Sequence, residues 1–224
     1  PRGIDSTFIQ DLSTIILVCS LLGARMAYVV THLSEFQGNW LAIINPVNSN
    51  GSFGIAGLVL LGGVITAIPI TIFYTRKKNY DVMEVLDLLA PSLALGIIFG
   101  RFGCLMNGCC YGNACDLPWA INYPVESFLH GHSLHPTQVY SMLANLLIMF
   151  ALLGFSKGNP KKGQVMALFL ILYSPARFVI EFLRDYEASM ILTRIGNWQV
   201  TTSQMLTFSM FITGLVLFYA VSRL

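Results

Sequence analysis

Apolar runs long enough to cross a bilayer alternate along this chain with short polar islands. Six runs stand out, at roughly 10–33, 53–75, 82–103, 135–156, 163–183 and 199–221. A bilayer core needs about 20 consecutive, mostly apolar residues per helix. Backbone groups in lipid find no water to bond, so such runs must satisfy themselves as helices; barrel strands would alternate with period two. The pattern predicts an all-α polytopic membrane protein with six transmembrane helices, forming one integral-membrane domain over 1–224. No cleavable leader pattern opens the chain, and the start at Pro1 leaves room for a seventh helix upstream.

Composition narrows the class further. Of the 224 residues, 55% are hydrophobic and 11% charged, against about 25% charged in soluble domains. This excludes a disordered chain, a nucleic-acid partner and an ordinary cytosolic enzyme. Charge placement sets the orientation, because Lys and Arg in short loops stay cytoplasmic. Arg76-Lys77-Lys78 follow the second run, Lys157, Lys161 and Lys162 follow the fourth, and Arg223 closes the sixth. Residues 34–52, 104–134 and 184–198 are then expected on the other side. The stretch 104–134 carries Asp116, Pro118, Trp119, Tyr123, Pro124, Glu126, His130 and His132. Its prolines and aromatics point to an ordered extracytoplasmic cap at headgroup level.

Ionisable residues inside spans are expensive and tend to be functional. Arg25, Glu84, Asp87, Arg101, Arg177 and Glu181 lie in or at the edges of the runs. Arg101 and Arg177 are expected near the outer ends of the third and fifth spans, with Arg184 just beyond. A guanidinium is a planar, permanently charged fork suited to phosphate, so arginines from different helices at one depth form a candidate headgroup clamp. Arg177 and Glu181, four apart on one helical face, are also candidate mutual partners. Two further signals lie on the outer side. One is the glycine-rich run Gly100-Arg101-Phe102-Gly103-Cys104-Leu105-Met106-Asn107-Gly108-Cys109-Cys110-Tyr111-Gly112. The other is His135-Pro136-Thr137-Gln138-Val139-Tyr140.

These motifs resemble the bacterial phosphatidylglycerol–prolipoprotein diacylglyceryl transferase family, in the family's order over most of the chain. Gly23-Ala24-Arg25-Met26-Ala27-Tyr28 is similar to its G-x-R-x-x-Y helix, and Gly57 with Gly62-Gly63 to its second block. Asp87-Leu88-Leu89-Ala90-Pro91 resembles D-x-x-A-P. The run 100–112 resembles G-R-x-G-N-x-x-N-G-E-x-x-G, and 135–140 resembles H-P-[ST]-Q-L-Y. Tyr173, Arg177-Phe178, Glu181-Phe182 and Arg184 resemble Y-x-x-x-R-F-x-x-E-x-x-R, and Ser203-Gln204 a last-helix S-Q. The resemblance implies transfer of diacylglycerol from phosphatidylglycerol to the lipobox cysteine of a prolipoprotein signal peptide, in the bacterial cytoplasmic (inner) membrane. It implies Arg101, Arg177 and His135 as catalytic residues. Arg25, Tyr28, Asn107, Gly108, Gly112, Gln138, Tyr140, Tyr173, Glu181 and Arg184 are implied around the substrate. The reaction calls for no cofactor and no metal.

The chain departs from the pattern at several positions. Leu61 stands where many members carry histidine, Cys104 and Cys109 replace the signature's asparagine and glutamate, and Ser141 replaces a glutamate. Cys104, Cys109, Cys110 and Cys115 are spaced C-x4-C-C-x4-C. On an oxidising side they are candidates for a disulfide brace, with redox-active thiols and a metal site as alternatives; the spacing lacks the C-x2-C of common zinc sites. Cys19 reads as a small buried hydrophobe. Two other functions stay open on these departures: a related lipid transferase with another thiol acceptor, and a non-catalytic membrane thiol-redox or metal-handling protein.

Overall fold

The computed structural model describes residues 3–33, 60–122, 131, 133–184, 191–195 and 198–223. It is mostly helical, in the order α1 (Ser6–Thr31), α2 (Leu60–Lys77), α3 (Val82–Met106), β1 (Ile121–Asn122), β2 (Ser133–Leu134), α4 (Thr137–Ser156), α5 (Gln164–Glu181), β3 (Ile191–Ile195), β4 (Trp198–Thr201) and α6 (Thr202–Arg223). Among the described residues five helices are long and apolar enough to span a membrane: α1, α3, α4, α5 and α6. The expected second span coincides with α2 from Leu60 onward, and its first residues, 53–59, lie outside the described residues.

The chain forms two compact units, Pro1–Val82 and Met83–Leu224. In the first, α1 packs on α2 through small residues. A Cβ at Gly62 would overlap the side chain of Ala27, and one at Gly23 would overlap Thr66. The Thr66 hydroxyl donates across this contact to the Cys19 carbonyl at 3.1 Å. Lipid tails are as apolar as leucine, so such close backbone approach, rather than burial from water, holds membrane helices together. Leu61 faces away from this contact and is 60% exposed.

In the second unit α3, α4 and α5 share a core of Ala90, Ala94, Ile148, Leu152, Val165 and Phe169. Gly214 of α6 packs on α5, where a Cβ would sit 2.9 Å from Leu170 Cβ. The two ends of this unit differ in chemistry. At one end the Asp87 carboxylate, buried in α3, accepts from the backbone N–H groups of Gly163 (2.8 Å) and Met166 (2.9 Å). It caps the start of α5, where Gly163 has φ +92° and the helix dipole favours negative charge. Lys162 pairs with Glu84 at 3.0 Å, and Lys161 donates to the Ser222 carbonyl at 2.9 Å. The basic loop between α4 and α5, the start of α3 and the end of α6 therefore meet at one end. Arg101, His135, Arg177 and Arg184 belong to the opposite end.

The stretch 184–198, for which no element was expected, contributes most of a hairpin. β3 pairs antiparallel with β4, Ile195 opposite Trp198, and β4 takes the first three residues assigned to the sixth span. The signal was present: β-branched residues at 191, 193, 195, 200 and 201 flank Gly196-Asn197, a turn-prone pair. Within 104–134 the described part of the expected cap is ordered by short β pairs: Ile121 opposite Leu134, and Asn122 opposite Ser133. Tyr123, Pro124, Glu126, His130 and His132 lie outside the described residues.

Candidate active site

The glycine-rich run begins as the end of α3. Gly108, at φ +65°, occupies the left-handed position that closes a Schellman turn. Its N–H donates to the Leu105 carbonyl at 3.2 Å, while that of Cys109 reaches back to Cys104 at 3.0 Å. Gly108 thus supplies a conformation. Cys110 also adopts positive φ, +64°, which is uncommon outside glycine and turns the chain toward α4.

The opening of α4 grips that turn. Thr137 Oγ1 donates to the Cys110 carbonyl at 2.7 Å, and Gln138 Nε2 to the Cys109 carbonyl at 2.7 Å. Thr137 and Gln138 are buried, Gln138 completely. The chain then threads between two elements. Gly112 N–H donates to the His135 carbonyl (2.9 Å), His135 N–H to Asn113 (3.0 Å), and Asn113 N–H to Leu183 (2.9 Å). Gly112 forms a β-bridge with Arg184. A Cβ at 112 would overlap the Leu183 carbonyl oxygen and come within 2.7 Å of His135 Cβ and 2.8 Å of Thr137 Cγ2. Three separate motifs, 100–112, 135–140 and 177–184, are therefore stitched into one clasp.

Side chains project from this clasp. Tyr140 Oη accepts from Trp119 Nε1 at 2.8 Å and lies 3.3 Å from His135 Nδ1. Indole N–H is donor-only, so Tyr140 Oη is the acceptor of the Trp119 bond. On α5, Arg177 Nη2 pairs with Glu181 Oε2 at 2.9 Å and reaches Ser203 Oγ at 3.3 Å. Glu181, 3% exposed, also accepts from Thr201 Oγ1 at 3.1 Å. Thr201 and Gln204 bond reciprocally, N–H to Oε1 at 3.1 Å and N–H to Oγ1 at 3.2 Å, a capping box that starts α6. The expected i,i+4 partnership of Arg177 and Glu181 is present, and a guanidinium has five donors, of which these contacts use Nη2.

The cysteines are free thiols in the structure. Cys104, Cys109 and Cys110 bring their sulfurs within 4.8 Å of one another, while Cys115 is held elsewhere by its N–H bond to the Ser133 carbonyl at 2.9 Å. The turn that carries them is braced by the Schellman bonds, Thr137 and Gln138. Burial pushes the Cys110 thiol up, but the charge of Arg184, hydrogen bonds from Cys109 and Cys104, and the charge of Arg101 outweigh it. Its net pKa lies below the ordinary thiol value.

The remaining expected site residues are placed differently. Tyr173 stacks on Phe169, ring centroids 5.4 Å apart, at the edge of the α3–α4–α5 core. Asn107 is exposed on the Schellman turn. Arg25 and Tyr28 belong to the first unit, where the Arg25 guanidinium lies 5.7 Å from the Tyr28 ring centre and Tyr28 stacks on His32. Sequence reading passed over Thr137, Thr201 and Trp119 as partners of site residues. Thr201-Thr202-Ser203-Gln204 carries a capping-box signature that could have been read; the Trp119–Tyr140 contact spans 21 positions and left no local mark.

The model of the prolipoprotein diacylglyceryl transferase family matches residues 2–220. The chain belongs to this family of transferases. Among curated relatives, the phosphatidylglycerol–prolipoprotein diacylglyceryl transferase of Clostridium tetani is 32% identical over 219 residues, covering 97% of this chain and 82% of the relative. That of Rhodospirillum rubrum is 34% identical over 231 residues, covering 100% and 79%. A Clostridium perfringens relative, named as transferase 2, is 30% identical over 220 residues, covering 97% and 80%. The run 100–112, His135-Pro136-Thr137-Gln138 and the segment 177–184 are the parts of this chain that meet in the clasp.

Proposed function

We propose that this protein transfers the diacylglyceryl group of phosphatidylglycerol to the lipobox cysteine of a prolipoprotein. The cysteine sulfur attacks the glycerol carbon bound to phosphate, a C–S bond forms, and the C–O bond breaks. The electron pair leaves on the phosphate oxygen, glycerol phosphate departs, and the thiol proton passes to the phosphate monoester or to water. The convergence of Arg177, Arg184, His135 and the Arg101 turn of α3, at the end of the second unit opposite its lysine-rich loop, carries this reading. By the positive-inside rule that end faces away from the cytoplasm, in a six-span fold whose 104–134 segment caps the site.

Charge develops on the departing phosphate, and prepositioned donors in a water-poor site stabilise it most. Arg101 and Arg177 serve as those donors, Arg177 held in aim by Glu181 and Ser203. His135 acts beside them, its ring positioned by Tyr140. Gln138, Gly108 and Gly112 shape the site through the backbone, while Tyr28, Arg25, Asn107, Tyr140, Tyr173 and Arg184 contact lipid or peptide. Incubating the protein with phosphatidylglycerol and a lipobox peptide, followed by mass spectrometry, tests the reading; the peptide should gain one diacylglyceryl group, and an unmodified peptide would refute it. The three-sulfur cluster favours one second reading, the same lipid chemistry with a different thiol acceptor. It predicts transfer to a small thiol in place of the peptide.

A further inference from the structure

The cysteines at 104, 109 and 110 play no part in the transfer chemistry above, yet they form the tightest cluster of metal-ligating atoms among the described residues. Their spacing looks unsuitable in sequence, since four residues separate the first two. The Schellman turn removes the difficulty: the Cys109 N–H bonds the Cys104 carbonyl at 3.0 Å, which brings position 109 back beside 104. Positive φ at Cys110 swings its side chain into the same corner. Thr137 and Gln138 then fix the Cys109 and Cys110 carbonyls from α4. The three sulfurs are half-buried, shielded yet within reach of an incoming ion.

We propose that Cys104, Cys109 and Cys110 form a three-thiolate site for a soft d10 cation, monovalent copper being the ion it fits best. With metal–sulfur bonds of about 2.3 Å, a trigonal planar site separates its sulfurs by about 4.0 Å. The observed limit of 4.8 Å requires only small rotamer shifts. Among the described residues no fourth Cys, His, Asp or Glu joins the group, which suits an ion content with three soft ligands. Three thiolates around a monovalent ion carry a net charge of −2, and Arg184 and Arg101 are the cations that act on Cys110. The site is independent of the transferase reading and would stabilise the turn that follows the α3 segment carrying Arg101.

The full-length protein, carrying no histidine tag, is reduced in detergent micelles and titrated anaerobically with Cu(I) against a competing chelator. About one copper per chain should survive, with sulfur-to-metal charge-transfer absorption and a copper–sulfur number near three by X-ray absorption. Cys104→Ser, Cys109→Ser and Cys110→Ser should each lose retention at least about tenfold, whereas Cys19→Ser and Cys115→Ser should keep it. The X-ray absorption readout on the unmutated chain does not depend on how the variants fold. Failure of that chain to hold copper, nitrogen or oxygen ligands dominating its spectrum, or undiminished retention in any of the three variants would overturn the proposal. So would an intact mass showing a disulfide among these three cysteines in the protein as isolated.

Discussion

Arg177 has two jobs that a pair of variants can separate. It holds Glu181 at 2.9 Å in a place where the two side chains are 11% and 1% exposed, and it is proposed to face the leaving phosphate. Glu181→Gln keeps an acceptor for Thr201 but leaves the guanidinium without its counter-charge. Breaking a buried pair from one side costs about 3–5 kcal/mol. At roughly 2–4 °C per kcal/mol for a chain of this size, the unfolding midpoint should fall by about 6–20 °C. Arg177→Lys keeps the charge facing Glu181 but gives up the fork and the Ser203 bond. That bond is long, at 3.3 Å, and its loss costs about 0.5–1.5 kcal/mol, a midpoint shift of about 1–6 °C.

The rates should order the other way. A lysine ammonium reaching Glu181 cannot also present a planar pair of donors to phosphate. Loss of a positioned donor in a dry site costs about 2.7–4 kcal/mol of transition-state stabilisation, on the order of 10²–10³ in rate. Thermal unfolding in micelles measures the first quantity, and initial rates of lipobox-peptide modification, normalised to folded protein, the second. Arg177→Lys should be stable and slow. If it transfers lipid at near-native rate, Arg177 is a helix-pairing residue and the phosphate clamp is wrong.

Three other outcomes are expected. Asp87→Ala removes both acceptors at the start of α5 and should lower stability by about 1–3 kcal/mol, seen as a lower unfolding midpoint with the transfer rate per folded molecule kept. Gly112→Ala forces a methyl against the Leu183 carbonyl, His135 and Thr137; overpacking costs about 1–3 kcal/mol, and protease digestion should show the clasp opening while α1 and α2 stay protected. The lowered Cys110 pKa keeps its thiolate populated to lower pH than an ordinary thiol, so its alkylation profile should begin at lower pH. Arg184→Gln removes the largest lowering influence and should move that profile upward, and an unmoved profile would count against Arg184 as its cause.

Five of the six expected spans were legible because run length is a local, repetitive property, as is the placement of Lys and Arg in short loops. The structure agrees where it speaks most clearly, with Lys157, Lys161 and Lys162 at one end of the second unit and Arg101, His135 and Arg177 at the other. The hairpin of β3 and β4 was overlooked because its alternation is short and abuts the apolar run of α6. Roles within the motifs were less legible than their positions. Gly108 and Gly112 were expected to lie around the substrate; Gly108 supplies a turn conformation, and Gly112 lets one chain segment pass close to another. Asp87, visible as a charge near a span and the start of a D-x-x-A-P motif, turns out to cap a helix that starts 77 positions later. Contacts at such separations depend on packing, which no periodicity records.

The geometry of the turn also bears on why cysteines at 104 and 109 are tolerated where the family signature resembles asparagine and glutamate. The turn is closed by backbone bonds from Gly108 and Cys109 and held by Thr137 and Gln138, each of which binds a carbonyl. None of these bonds uses the side chain of residue 104 or 109. The backbone closure of the turn therefore does not depend on those side chains, whose thiols bond the neighbouring Cys110 thiol. What changes is the local charge: a carboxylate beside Arg101 and Arg184 would hold a fixed negative charge, whereas a thiol acquires one only on ionisation or on binding a soft cation. Cys109→Glu should accordingly fold like the parent chain and shift the Cys110 alkylation profile to higher pH, because a permanent anion then opposes the second one. A Cys109→Glu chain that failed to fold would show that the side chain, and not the backbone alone, builds the turn.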